Sequence, residues 1–192
     1  MEADGEIIEA IAAPDGSWTF DVTADPAWET ALPDWRAVVA RIAAAAQPSI
    51  AEALAEAGCL GASEISLLLA DDATVRDLNR DWREKDSATN VLSFATWWDD
   101  ECPAPPEGAP VHVGDIAVAR ETVFAEAAEG GTPPADHFAH LVLHGVLHLL
   151  GYDHDEDDEA LAMERLETEL LNGLGIADPH AAELIHGDTR DD

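Results

Sequence analysis

The stretch DHFAHLVLHGVLHLLGYDH, which ends at His154, restricts the fold more than any other part of the chain. Phe138, Leu141, Val142, Val146 and Leu149 recur at helical spacing, so the segment predicts a helix with one buried side, opened by Pro133 and Pro134 and ended by Gly151. Four residues of helix advance about 400°, which puts His144 and His148 on one face a turn apart. Gly151 lets the backbone leave in a left-handed conformation, and the turn after it can bring His154 back as a third ligand. Three neutral imidazoles suit one Zn2+ ion and leave a fourth position for water, the arrangement of a catalytic site. His140 also pairs with His144 at spacing four, but without the helix break. It is set aside as a non-ligand with His112, His137, His180 and His186.

The spacing resembles the HExxHxxGxxH motif of metzincin proteases, except that Gly145 stands where they carry a glutamate. That glutamate takes a proton from the water and delivers it to the leaving amine, so its loss argues against peptide hydrolysis. Phosphodiester cleavage asks instead for a cation on the non-bridging oxygens, which a guanidinium fork supplies.

Cations are scarce: 41 acidic residues against 9 basic ones give a formal net charge of -32. Residues 1–35 hold nine carboxylates and no Lys or Arg. A polyanion is repelled by most such surfaces, and a solvated or salt-adapted exterior is the plain explanation of the acidity. The exception is TVRDLNRDWREK, with Arg76, Arg80, Arg83 and Lys85. Arg83 is the candidate phosphate-stabilising residue, with Arg80 and Lys85 as helpers in substrate binding. The same four residues read equally as partners of Asp77, Asp81, Glu84 and Asp86, a salt-laced helix surface.

Around these motifs, strands and helices alternate. Residues 1–32 read as irregular or edge-like, with SWTFDV alternating as a half-buried strand does. A helix is expected after Pro33, interrupted at Pro48 and ended by Gly58, then a strand over EISLLLADD. A short helix over DDATVRDLNRDW follows, capped by Asp71 or Asp72, with Val75, Leu78 and Trp82 toward the inside. VLSFATWW and VGDIAVA predict two more strands, ARETVFAEAAEGG a helix closed by glycine, and the acidic segment after His154 a last helix. The pattern predicts an α/β (α+β) fold in a single domain over residues 1–192, a small mixed sheet covered by helices.

Asp115 reads as a strand cap or turn residue, Asp153 as a helix cap or an acceptor orienting an imidazole, and Trp82, Trp97 and Trp98 as packing rather than base-stacking residues. Cys59 and Cys102 are read as ordinary thiols. The N-terminus lacks the basic and apolar regions of a secretory signal, and charges or histidines interrupt the apolar runs before a membrane span. A cytoplasmic location is therefore expected.

LNRDWREKDSATNVLSF, VGDIAVA and HGVLHLLGYDH, in this order, resemble the three signature segments of the YbeY family, bacterial endoribonucleases of ribosomal RNA maturation. The resemblance runs from about Glu64 to residue 175, with residues 1–30 poorly matched. It implies an α/β fold with a zincin-like metal-binding helix, one zinc ion held by His144, His148 and His154, a functional arginine at Arg83, and cleavage of single-stranded RNA. It further implies a part in maturing the 3′ end of 16S ribosomal RNA and in ribosome quality control, with ribosomal RNA, ribosomal particles and assembly proteins as partners. Gly145 is native to that family's HGxLHLxGYDH motif. A metal-stabilised ribosome-assembly factor with weak or no nuclease activity is the rival expectation, and a protease the third.

Overall fold

The computed structural model describes residues 5–56, 61–96, 109–153 and 157–177. Its centre is a five-stranded mixed sheet in the order β1-β2-β3-β5-β4. β1 (Ile7–Ala12) and β2 (Trp18–Ala24) form an antiparallel hairpin, so the N-terminal part is a regular sheet edge rather than irregular chain. β3 (Ser63–Ala70) runs parallel to both β2 and β5 (Val111–Ala119), while β4 (Val91–Ala95) returns antiparallel to β5 and forms the other edge. The expected strand VLSFATWW thus ends at Ala95, and Trp97 and Trp98 lie outside the described residues.

Both faces of the sheet centre are covered, which is why β3 reads as a nearly continuous apolar run. Ile65, Leu67 and Leu69 enter the main core with α2 (Trp35–Glu56) and α5 (Pro134–Leu149). Leu68 and Ala70 turn the other way, toward Val75 and Leu78 of α3 (Asp72–Arg83). A short α1 (Ala27–Ala31) precedes α2, α4 (Arg120–Gly130) packs beside α5, and α6 (Asp157–Gly173) lies along α5.

α2 runs through Pro48 without the expected interruption. Pro48 and Ala44 are both exposed, so the carbonyl that loses its helical donor is on the water side. The helix is also long and apolar enough to cross a membrane by length and composition, contrary to the expectation that every apolar run is interrupted. Its Trp35, Val39, Ile42, Ala43 and Ile50 are instead packed in the core. Gly58 lies outside the described residues.

Asp71 caps α3, accepting from the Thr74 amide at 2.8 Å. Asp72 ties α3 to α4 by accepting from the Thr122 amide and hydroxyl, each at 3.0 Å. Trp82 departs from expectation, being 72% exposed. Val75 and Leu78 of the apolar side of α3 reach the sheet core, whereas the Trp82 ring lies at the sheet edge, 6.2 Å from that of Phe94 in β4.

Candidate metal centre

α5 ends in a Schellman turn: the Gly151 amide donates to His148 O at 3.0 Å and the Tyr152 amide to Leu147 O at 3.1 Å, with Gly151 at φ 88. The turn aims the Tyr152 carbonyl back at the helix, 3.0 Å from His148 Nδ1. A carbonyl only accepts, so Nδ1 carries the proton and Nε2 of neutral His148 presents a lone pair. His144 is set the same way from α6: its Nδ1 lies 3.0 Å from Glu167 Oε1, an acceptor, which again leaves Nε2 the lone pair. The two Nε2 atoms face each other at 3.1 Å. Two imidazole ligands at about 2.0–2.1 Å from a tetrahedral ion stand about 3.3 Å apart, so this donor pair fits one zinc-sized cation.

His154 lies outside the described residues, as do His180 and His186. His140, set aside in the sequence, is drawn to the same carboxylate, with Nε2 3.3 Å from Glu167 Oε1. His140, His144 and Glu167 place ligand atoms within 4.8 Å of one another, a set that could itself hold a metal ion. The two donor sets compete for His144, one through Nε2 and one through Nδ1. His144 and His148 both line a cavity, and in their arrangement Glu167 is the proton acceptor that fixes the His144 ring. His137 pairs with Glu126 at 2.9 Å, and His112 lies between Glu64 and Asp115 on the sheet.

Glu167 is not among the residues singled out from the sequence, where the acidic segment after His154 predicts only a last helix. Its register carried a signal: Met163, Glu167 and Leu171 are four apart and all buried, so a carboxylate interrupts the inward stripe of α6. With 2% of its side chain exposed, it requires partners, and the two histidines meet it.

A cavity of about 540 Å3 lies in front of the Nε2 pair, between α5, the edge strand β4 and the end of α3. Arg83, Asn90, Ser93 and Asp153 line it with His144 and His148. Arg83 reaches in by donating from Nη2 to Ser93 O at 3.0 Å, and its guanidinium stands 5.7 Å over the Phe94 ring. Asn90, whose amide nitrogen meets both Glu126 oxygens, is held by its neighbours rather than free to turn. Helix-surface pairing, the plain alternative, describes Arg76 and Arg80 but not Arg83. Arg76 bonds Asp86 at 2.6 Å, and Arg80 bonds Asp77 at 2.6 Å and Asp81 at 3.0 Å. Lys85 is exposed beyond the helix end and does not line the cavity. Asp115 does not line it either, whereas Asp153 does.

Gly145 is buried against the sheet beside the cavity, where a Cβ would stand 3.0 Å from Oγ of the cavity-lining Ser93 and 3.1 Å from Ile116 Cδ1. Any side chain at this position must displace Ser93 or Ile116, so the glycine has a packing reason as well as a chemical one.

A family model described as Endoribonuclease YbeY matches residues 33–175. The chain is 52% identical over 168 residues to Endoribonuclease YbeY of Paramagnetospirillum magneticum, covering 86% of this chain and 98% of the relative. It is 54% identical over 154 residues to Endoribonuclease YbeY of Rhodospirillum rubrum, covering 77% and 76%. The solution structure of TM1509 from Thermotoga maritima shares the fold, with a TM-score of 0.50 at 20% identity over 90% of this chain and 96% of that one.

Proposed function

The chain belongs to the YbeY endoribonuclease family, and from that premise we propose that it is a zinc-dependent endoribonuclease cutting single strands of ribosomal RNA precursors. The observation that carries the reading is a pair of imidazole Nε2 atoms 3.1 Å apart on two residues that line one cavity with the Arg83 guanidinium. His144 and His148 would hold the ion, with His154 as third ligand. A bound zinc ion supplies Lewis acidity toward a phosphoryl oxygen and lowers the pKa of water. Glu167 and the Tyr152 carbonyl keep both rings in the ligating tautomer. Arg83, anchored to the edge strand, stabilises charge on the phosphate oxygens, where a preorganised donor acts most strongly. Arg80 and Lys85 serve approach and binding from the same side. Ribosomal particles and assembly proteins are the partners of this reading, and the cytoplasm its location.

The deciding experiment offers protein of measured metal content a single-stranded RNA, a duplex RNA and a casein-like peptide, beside Arg83→Ala and His148→Ala variants. Metal-dependent cutting of the single strand alone, lost in both variants, supports the reading. Cutting that persists unchanged in both variants points to a contaminating nuclease and sinks it. Ribosome binding without cleavage would favour an assembly factor.

A further inference from the structure

A second cavity, of about 560 Å3, opens on the face of the sheet that α3 covers, between α3, the middle of β3 and β5, and the end of β4. Leu68, Leu78, Trp82 and Phe94 make it largely apolar, and its polar lining is Ser66, Thr96 and Asp115, whose Oδ1 lies 3.4 Å from His112 Nε2. It adjoins the candidate metal centre: Ala95 lines both cavities, and Phe94, which lines this one, lies beneath the Arg83 guanidinium that lines the other. Trp82 is 72% exposed with its ring 6.2 Å from that of Phe94, leaving an aromatic face open at the mouth.

We propose that this groove takes an unpaired nucleobase of the strand whose phosphate lies at Arg83, stacked on Trp82. An apolar slot ending in a carboxylate excludes a phosphate and accepts a base, whose exocyclic amino group can donate to Asp115. The charge of the whole chain favours such a contact. With a net charge of -32, phosphate neutralisation cannot supply most of the affinity, and stacking, which needs no cation, can. A base paired in a duplex is already stacked and does not enter, so the groove also selects single strands.

The inference rests on the endoribonuclease reading for its ligand, and the test separates the two. Full-length zinc-loaded protein is mixed with a fluorescein-labelled single-stranded RNA, with anisotropy read immediately on mixing and KM and kcat taken from cleavage. Copies of the RNA carrying one abasic nucleotide at successive positions are run beside it. Trp82→Ala is expected to weaken binding about 5- to 100-fold, with the loss in KM and with Trp82→Phe restoring most of it. One abasic position should cost the wild type a similar factor and cost Trp82→Ala nothing further. The slope of log affinity against log salt should stay unchanged in Trp82→Ala and shallow by about 0.7 in Arg83→Ala. Wild-type affinity in a folded Trp82→Ala protein, or equal abasic penalties in both proteins, would overturn the groove while leaving the nuclease reading standing. Binding that depends on Trp82 without any cleavage would uphold the groove and overturn the nuclease reading.

Discussion

Gly145 of α5 lies so close to Ser93 of β4 that a Cβ added there would meet the serine hydroxyl at 3.0 Å. Helix and edge strand approach at this point, and the approach places His144 and His148, the flanking half-buried histidines of the turn, against the cavity that β4 borders. Gly145→Glu should therefore lose stability rather than gain peptidase activity: overpacking costs about 1–3 kcal/mol, and burying a carboxylate adds to it. Gly145→Ala should stay within about 1 kcal/mol of wild type, because the helix-propensity gain offsets the tight contacts. Urea midpoints of the three proteins check this, and a Gly145→Glu protein of wild-type stability would refute the packing account.

The competing donor sets make opposite predictions. If the Nε2 pair holds the ion, His148→Ala abolishes stoichiometric zinc while His140→Ala retains it with affinity weakened. If His140, His144 and Glu167 hold it, the two outcomes exchange. Elemental analysis after dialysis against a graded chelator reads the difference. Glu167→Gln should weaken zinc about 10- to 100-fold, since it removes the charge that holds the His144 ring. Chelation should lower the melting temperature of wild type and leave His148→Ala unmoved.

Arg83 and Arg80 should separate in kinetics. Removing a donor that acts on transition-state charge costs about 10²–10³ in kcat, the loss expected for Arg83→Ala. Arg83→Lys should recover little, since an ammonium lacks the fork that spans Ser93 O and a phosphate. Arg80→Ala should change KM by only a few-fold, because its guanidinium already serves Asp77 and Asp81. Equal losses in both variants would disprove the assignment.

Asp71 gives the α3 cap a pH signature. Hydrogen bonds from Thr74, side chain and then backbone, hold its carboxyl below the ordinary value of 3.8. A carboxyl depressed in the folded state contributes stability that is present above the unfolded pKa and is lost as pH falls through the folded one. Asp71→Ala should thus cost about 1 kcal/mol at neutral pH. The gap to wild type should shrink as the pH drops below 3.8. Urea titrations at the two pH values measure it, and a gap independent of pH would contradict the cap.

Glu84, which closes α3 beside Arg83, holds a left-handed conformation at φ 58. A residue with a Cβ costs about 1 kcal/mol there relative to glycine, and glycine's greater unfolded-state freedom returns part of that. Glu84→Gly should raise stability by a few tenths of a kcal/mol to about 1 kcal/mol, read as the denaturant midpoint. A fall would show that the glutamate side chain contributes more than the strain.

Local rules are enough for much of this protein. The periodicity of α5, its opening prolines, the left-handed Gly151, a cap at Asp71 or Asp72 and the alternating strands all depend on residues a few positions apart, and all of them were legible in the sequence. The pairing of His144 with His148 follows from helical geometry in the same way. What only the tertiary structure decided are the relations between segments distant along the chain. Glu167 meets His140 and His144 because α6 packs on α5, and His148 is fixed by a carbonyl that the turn folds back. Arg83, unlike the chemically identical Arg76 and Arg80, reaches across the edge strand because of where α3 ends. Trp82 is exposed because it lies over the edge strand, beside Phe94, and no helical period records where a sheet ends. Spacing along one helix determines which side chains share a face. Packing between elements determines what that face meets, and so which nitrogen carries the proton and which arginine faces the site.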